Sequence, residues 1–254
     1  MRWLMELIRR LFGCAPPLAP ETFDPAKSGY SLFFSDEFGP GVDWSKWDWR
    51  EPWSGTEDTR KGIVVWRRDN AVNTHPGVRL MATRAPGSPN DECGLISSHR
   101  FMEFLYGVVR VMAKIPPRGF TYFPAIWMYD KRGWLPEIDV MEAMGPDSTS
   151  VGFTHHWDDD GTHRSEGTTA YNLGDLSAGY HEYAVEWNAG SITWYVDGVK
   201  KYTALKNVPQ VPLFLICNIQ AGPATDGGSA FTRLFSPSEV PMGFDVRRVE
   251  VWKK

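Results

Sequence analysis

The sequence predicts an all-β fold, two antiparallel sheets packed face to face as a β-sandwich or jelly roll. Three observations carry that prediction. From Tyr30 onward the apolar residues come in short runs or in alternation, Gly, Pro, Asn and Asp separate the runs, and convincing helical periodicity is confined to the N-terminus. Strands that follow one another without intervening helices can bury their apolar faces only against a second sheet. At 254 residues the chain is within the size that such sandwiches reach as one unit, so a single jelly-roll domain is expected.

The elements can be placed in order. Residues 1–12 put Trp3, Leu4, Leu7, Ile8, Leu11 and Phe12 on one face of a helix, with Arg9 and Arg10 opposite. The charges sit in the middle of the stretch rather than ahead of an apolar run, which reads as a packing or anchoring helix rather than a signal peptide, and the run is too short to span a membrane. Pro16, Pro17, Pro20 and Pro25 then break any helix, so residues 1–28 are assigned to an amphipathic segment and linker and residues 29–254 to the β-domain. Strands are expected at 62–67, 78–83, 94–97, 106–115, 121–129, 137–141, 150–156, 181–187, 191–196, 213–220 and 244–252, with one helical turn near 43–47. Asn188, Ala189 and Gly190 supply hairpin residues that accept positive φ, and Asp197-Gly198 marks the next reversal.

Bulk chemistry narrows the function. A net charge of −4 offers no basic field for phosphates, which argues against a nucleic-acid partner and for a neutral one. The 12 Trp, 9 Tyr and 14 Phe suit either a large core or the apolar faces of sugars. Cys14, Cys93 and Cys217 exclude a dense disulfide framework while leaving one bridge open, and no Cys/His metal cluster is present. Cys217, within an apolar strand, reads as a buried small hydrophobe.

The informative stretch is Trp134-Leu135-Pro136-Glu137-Ile138-Asp139-Val140-Met141-Glu142. In a regular strand Glu137 and Asp139 share one face and Glu142 falls on the other. A β-bulge around Val140 and Met141 inserts one residue and returns Glu142 to the face of the other two acids. Three acids on one face are costly to bury without cations, whereas a cleft gives them work: one carboxyl attacks an anomeric carbon while a second protonates the leaving oxygen. A third acid between them can hold a proton in the set and push the pKa values apart. The string alone is a weak motif, since surface strands and helices also produce it.

Its surroundings strengthen it. Phe34-Ser35-Asp36-Glu37-Phe38, Trp44-Ser45-Lys46-Trp47, Gly94-Leu95-Ile96-Ser97-Ser98, Pro124-Ala125-Ile126-Trp127-Met128, Thr154-His155-His156-Trp157, His181-Glu182-Tyr183-Ala184-Val185-Glu186-Trp187, Trp194-Tyr195-Val196-Asp197-Gly198 and Phe244-Asp245-Val246 stand in order around the acidic strand. With that strand they resemble glycoside hydrolase family 16, the concanavalin-like jelly-roll endo-glycanases that include laminarinases and lichenases. The resemblance covers about Leu32 to Trp252. It implies a concave substrate cleft, Glu137 as nucleophile, Glu142 as general acid/base, Asp139 as assisting carboxylate, and the laminarinase type of bulged strand. Pro136 departs from the Gly usual before the first Glu, which bears on the substrate rather than on the chemistry.

For the remaining residues a structural reading stands beside each functional one. His156 matches the family's Thr-x-His position and is expected at the catalytic carboxylates, with Trp157 beside it as a sugar-stacking ring; the alternative is a polar loop. Asp158, Asp159 and Asp160 read as a solvated loop. Trp127 and Trp134 flank the acidic strand as cleft-floor candidates, Trp127 equally as core. Trp53 sits in a Pro/Gly loop as a distal subsite, Gln220 where a strand opens into a loop, and Asn70 and Arg100 near the rim, while Trp187, Trp194 and Trp252 are read as structural. Asp245 matches a position from which some family members hold a structural calcium, an ordinary hydrogen-bonded Asp being the alternative.

These readings describe a monomer that needs no cofactor and cleaves internal β-1,3- or β-1,3-1,4-glucosidic bonds of a polysaccharide, expected outside the cell or at its surface. Hydrolysis of agar- or carrageenan-type galactans and transglycosylation are the alternatives within the family. The competitor from another class is a non-catalytic carbohydrate-binding module, which would keep the aromatics and lose the acids.

Overall fold

The computed structural model describes residues 22–52, 57–58, 64–83, 91–117, 123–143, 147–220 and 242–254. The strands of the first half are Ser31–Asp36 (β1), Glu57–Asp58 (β2), Val64–Trp66 (β3), Ala71–Asn73 (β4), Val78–Thr83 (β5), Asp91–Cys93 (β6), Leu95–Ser97 (β7) and Gly107–Lys114 (β8). Those of the second half are Phe123–Tyr129 (β9), Glu137–Glu142 (β10), Val151–Asp159 (β11), Thr162–Ala170 (β12), His181–Asn188 (β13), Ser191–Val196 (β14), Val199–Ala204 (β15), Phe214–Gln220 (β16) and Met242–Lys253 (β17). The one helical element among the described residues is a 3₁₀ turn at Arg68–Asn70. The turn expected near 43–47 is closed by Lys46 and Trp47 amides donating to the Asp43 carbonyl.

Two sheets make the sandwich. One runs β15-β14-β13-β8-β17-β5-β6-β3-β2, with β1 also on β17 and β4 also on β5, and the other runs β12-β11-β10-β9-β16-β7. The long β17 makes the branch possible, since its first half pairs with β5 and its second half with β1. Pairing is antiparallel except between β3 and β6, which run parallel, so the expectation of two wholly antiparallel sheets is corrected at that edge.

Alternation puts Val109, Val111, Tyr183, Val185, Trp187, Trp194, Val249 and Val251 on the inner side of the larger sheet, facing Ile126, Met128, Ile138, Phe153, Leu215 and Cys217. Each such Val, Leu or Ile contributes roughly 1.5–3 kcal/mol by leaving water, so this layer holds the strands in register. Cys93 and Cys217 are both fully buried. Burial holds the Cys217 thiol well above the ordinary range, as its reading as a small hydrophobe requires. Trp187 and Trp194 are fully buried, in agreement with their structural reading.

Two local expectations change. Positive φ occurs at Asp197 and Gly198, 50° and 72°, in the two-residue reversal between β14 and β15, and not in the Ala189-Gly190 turn between β13 and β14. Residues 23–28 were assigned to the linker, yet Phe23 stacks on Tyr195 with centroids 4.2 Å apart and its amide donates to the Gly198 carbonyl. The docked chain therefore begins before residue 29. The amphipathic stretch 1–12, Cys14 and Trp53 lie outside the described residues.

Candidate active site

The acidic strand β10 lies inside the six-stranded sheet, between β9 and β11. Against β9, Glu137 pairs with Tyr129, Asp139 with Trp127 and Glu142 with Ala125, while Met141 pairs with Ile126. Two steps on β10 from Asp139 to Met141 match one step on β9, which is the bulge that the parity demanded. Val140 and Met141 are both fully buried at the bulge. Glu137, Asp139 and Glu142 consequently share the sheet's outer face with Tyr129, Trp127 and Ala125.

The bulge interrupts the ladder after Asp139, and the other sheet repairs the gap: the Trp194 indole donates to the Asp139 main-chain carbonyl at 2.8 Å. Beneath the acids the floor is aromatic. Trp127 stacks on Tyr129 at 4.8 Å, Tyr129 packs against Phe214 at 4.4 Å, and the Trp127 indole donates to Asn218 Oδ1 at 2.7 Å, which fixes its ring. Trp127 is half-buried on the acid-bearing face and packs against the core from that side.

Side chains also close around Glu137. The Trp134 indole donates to Glu137 Oε2, and Trp134 is 47% exposed, leaving its ring open to a ligand. Asp139, 1% exposed, bonds to Glu137 and to His156 Nε2 at 2.9 Å. His156 Nδ1 meets His163 Nε2 from β12 at 2.8 Å, and the His163 ring packs 4.9 Å from Trp134. His163 was not singled out in the sequence, because a lone histidine in a polar stretch carries no pattern; the register that sets it beside His156 is visible only in the sheet.

Electrostatics separate the carboxyls. Burial, then the charges of Glu142 and Glu137, drive Asp139 well above the usual carboxylate range, so it keeps its proton. Burial and the Glu137 charge push Glu142 up to about 7. Burial, reinforced by His163 and His155, lowers His156 to about 4 and keeps it neutral. A carboxyl that holds its proton near neutral pH beside another served by two donors is the pairing that acid-assisted displacement at an acetal carbon requires.

Other expected site residues fall elsewhere. Trp157 alternates with His156 and so faces the opposite side of β11, where it stacks on buried His155 at 5.1 Å; its reading as a substrate-stacking ring is corrected. Asn70 is likewise a brace, its amide donating to the Met81 and Glu92 carbonyls and to Thr83 Oγ1. Gln220 ends β16 on the acid-bearing face, in step with Asn218. Arg100 lies at the β7 edge, where Asp48 bridges Ser97, and lines a cavity of about 280 Å³ with Asp48, Arg50, Glu51, Pro52 and His99. Asp245 receives Arg79 through both oxygens, at 2.5 and 2.9 Å, and Lys114 Nζ at 3.3 Å. Calcium needs a shell of oxygens, so a carboxylate already holding two cations does not fit it, and the ion-paired reading replaces the calcium one.

A two-sheet β-fold with paired carboxyls over an aromatic floor has the parts of a carbohydrate-cleaving enzyme. The chain belongs to glycosyl hydrolases family 16, whose model matches residues 59–234, and is an O-glycosyl hydrolase. It is 31% identical to a beta-glucanase of Bacillus licheniformis, over 89% of this chain and 88% of that one. It is also 31% identical to glucan endo-1,3-beta-glucosidase A1 of Niallia circulans, over 91% of this chain and 39% of that longer protein. Among solved structures, the catalytic domain of an endo-1,3-beta-glucanase (laminarinase) from Thermotoga petrophila superposes with a TM-score of 0.73 at 23% identity, covering 89% of this chain and 98% of that one. No helix among the described residues is long and apolar enough to cross a membrane.

Proposed function

We propose that the protein is a retaining endo-β-glucanase that cleaves internal β-1,3- or β-1,3-1,4-glucosidic bonds, with Glu137 as nucleophile, Glu142 as acid/base and Asp139 as the assisting acid. The observation that carries this reading is the bulge, which sets all three acids on one face. Glu137, oriented by the Trp134 indole and the Asp139 carboxyl, attacks the anomeric carbon as Glu142 delivers its proton to the departing oxygen. Glu142, now ionised, then takes a proton from the water that opens the glycosyl-Glu137 ester.

The sugars bind across the sheet, over Trp127 and against Trp134, with Gln220 and the Arg100 cavity placed for more distant residues of the polymer. The glucan relatives support β-glucan over galactan, and a polymeric substrate supports action outside the cell. The test is incubation with laminarin, lichenan, agarose and carrageenan, following new reducing ends and the anomer first released. Internal cuts in laminarin or lichenan with the β-anomer released first are expected. Binding without new reducing ends on any of the four would overturn the proposal.

A further inference from the structure

Five side chains form a closed ring: Glu137 to Asp139, Asp139 to His156, His156 to His163, His163 against Trp134, and Trp134 back to Glu137. Glu137, Asp139 and Trp134 have a place in the function above, and His156 is expected at the carboxylates from the sequence; His163 has neither. It is exposed, on the polar strand β12, and held by no apolar packing of its own strand, whose neighbours Arg164 and Ser165 are also exposed.

Hydrogen-bond accounting fixes what it does. Asp139, buried beside two glutamates, keeps its proton, and that proton serves the bond to Glu137. The Asp139 Oδ2 atom is then an acceptor, so His156 Nε2 must be the donor across their 2.9 Å contact. A neutral histidine that carries its proton on Nε2 has a bare lone pair on Nδ1. The group facing that lone pair at 2.8 Å is His163 Nε2, which must therefore donate.

We infer that His163 is a positioning residue of the glycosidase site, which holds His156 in its Nε2-protonated tautomer and thereby keeps the Asp139 proton directed at Glu137. Without the donor, His156 is free to carry its proton on Nδ1. It then presents a lone pair to Asp139, and the Asp139 proton is drawn away from the nucleophile toward the ring. The exposed face of His163 lets this arrangement form without burying a further charge, and its contact with Trp134 couples the same residue to the second donor on Glu137. Chains of hydrogen bonds of this kind polarise one another, so loss of the outermost member is felt at the innermost.

This inference rests on the assignment of Glu137 and Asp139 made above, and two variants with two readouts keep the two apart. H163F preserves a ring against Trp134 and removes the donor; H163Q removes the ring and keeps an N–H at comparable reach. On whichever glucan the unmodified protein cleaves, H163F is expected to lose about tenfold in kcat with KM within about twofold, and H163Q to recover most of that loss. Independently of activity, ¹⁵N NMR of the unmodified protein is expected to show His156 with a bare Nδ1 and a protonated Nε2, and H163F to show protonation at Nδ1. Inactivity of the unmodified protein on every glucan would strike at the proposed function and leave the NMR test standing. The positioning role is overturned by a protonated Nδ1 on His156 in the unmodified protein, by wild-type kcat in H163F, by a loss confined to KM, or by H163Q as impaired as H163F.

Discussion

The indole of Trp194 donates to the main-chain carbonyl of Asp139 across the sandwich, 2.8 Å from a strand of one sheet to the bulge of the other. A bulge frees backbone groups from the ladder, and a buried carbonyl without a donor costs about 1–3 kcal/mol. Trp194→Phe is therefore expected to lower stability by roughly that amount in urea unfolding, while keeping most of the ring packing. Because the orphaned carbonyl belongs to the residue between the two glutamates, kcat should fall even where the variant is fully folded. A variant with unaltered stability and kcat would show that the contact is incidental.

Replacing either glutamate by its amide should remove turnover, by at least about a hundredfold for the loss of acid/base assistance at Glu142. The two roles separate with azide and a substrate bearing a good leaving group. Glu137→Ala should give the α-glycosyl azide, since azide then attacks the substrate directly from the nucleophile's side. Glu142→Ala should give the β-azide, since azide then opens the glycosyl-Glu137 ester. The same azide anomer from both variants would sink the assignment.

Glu142 has an ordinary value of 4.5 and stands at about 7 in the folded protein. Between those values the unfolded chain has released the proton and the native one still holds it. The stability that this group contributes is thus fully present below 4.5 and lost as pH rises through about 7. Glu142→Gln should gain on the unmodified protein over that interval, measured by urea unfolding at several pH values. The basic limb of kcat/KM should fall near the same pH, as the leaving oxygen loses its acid. A constant stability difference from pH 4.5 to 7.5 would contradict both statements.

Arg79 and Lys114 hold Asp245 from two neighbouring strands, so the outer face of the larger sheet is tied by side-chain charge. A chelator should leave the melting temperature unchanged, and Arg79→Met should lower stability by about 1–2 kcal/mol, the reduced size reflecting the half-exposed guanidinium. A melting temperature that falls in EDTA and returns with calcium would restore the metal reading.

How far the sequence disclosed all this depended on whether a strand has one apolar face. β5 and β14 are recovered residue for residue, because Val78–Thr83 alternates in burial and Ser191-Ile192-Thr193-Trp194 alternates polar with apolar residues. β12 was invisible: Thr162–Ala170 sits at a sheet edge, exposed along most of its length, and no apolar period records its pairing. His163 went unseen with it. The acids were legible because their spacing conflicts with a flat strand, a local contradiction that needs no partner to be noticed. Trp157 was misread by adjacency, although strict alternation after His156 already assigns it to the other face. Asn70 shows the reverse limit, since its three acceptors come from β5 and β6, and nothing nearby in sequence reveals them.

The bulge at Val140 and Met141 also bears on how such sites change over time. Removal of either residue would leave Glu-x-Asp-x-Glu, a straight strand whose three acids still alternate onto one face. The backbone thus absorbs a single-residue length change at the centre of the chemistry, and the intermediate between a long and a short acidic strand need not be a dead protein. Longer and shorter acidic strands are then neighbours separated by one codon, with the difference taken up as slack in the ladder rather than as a new arrangement of reacting groups.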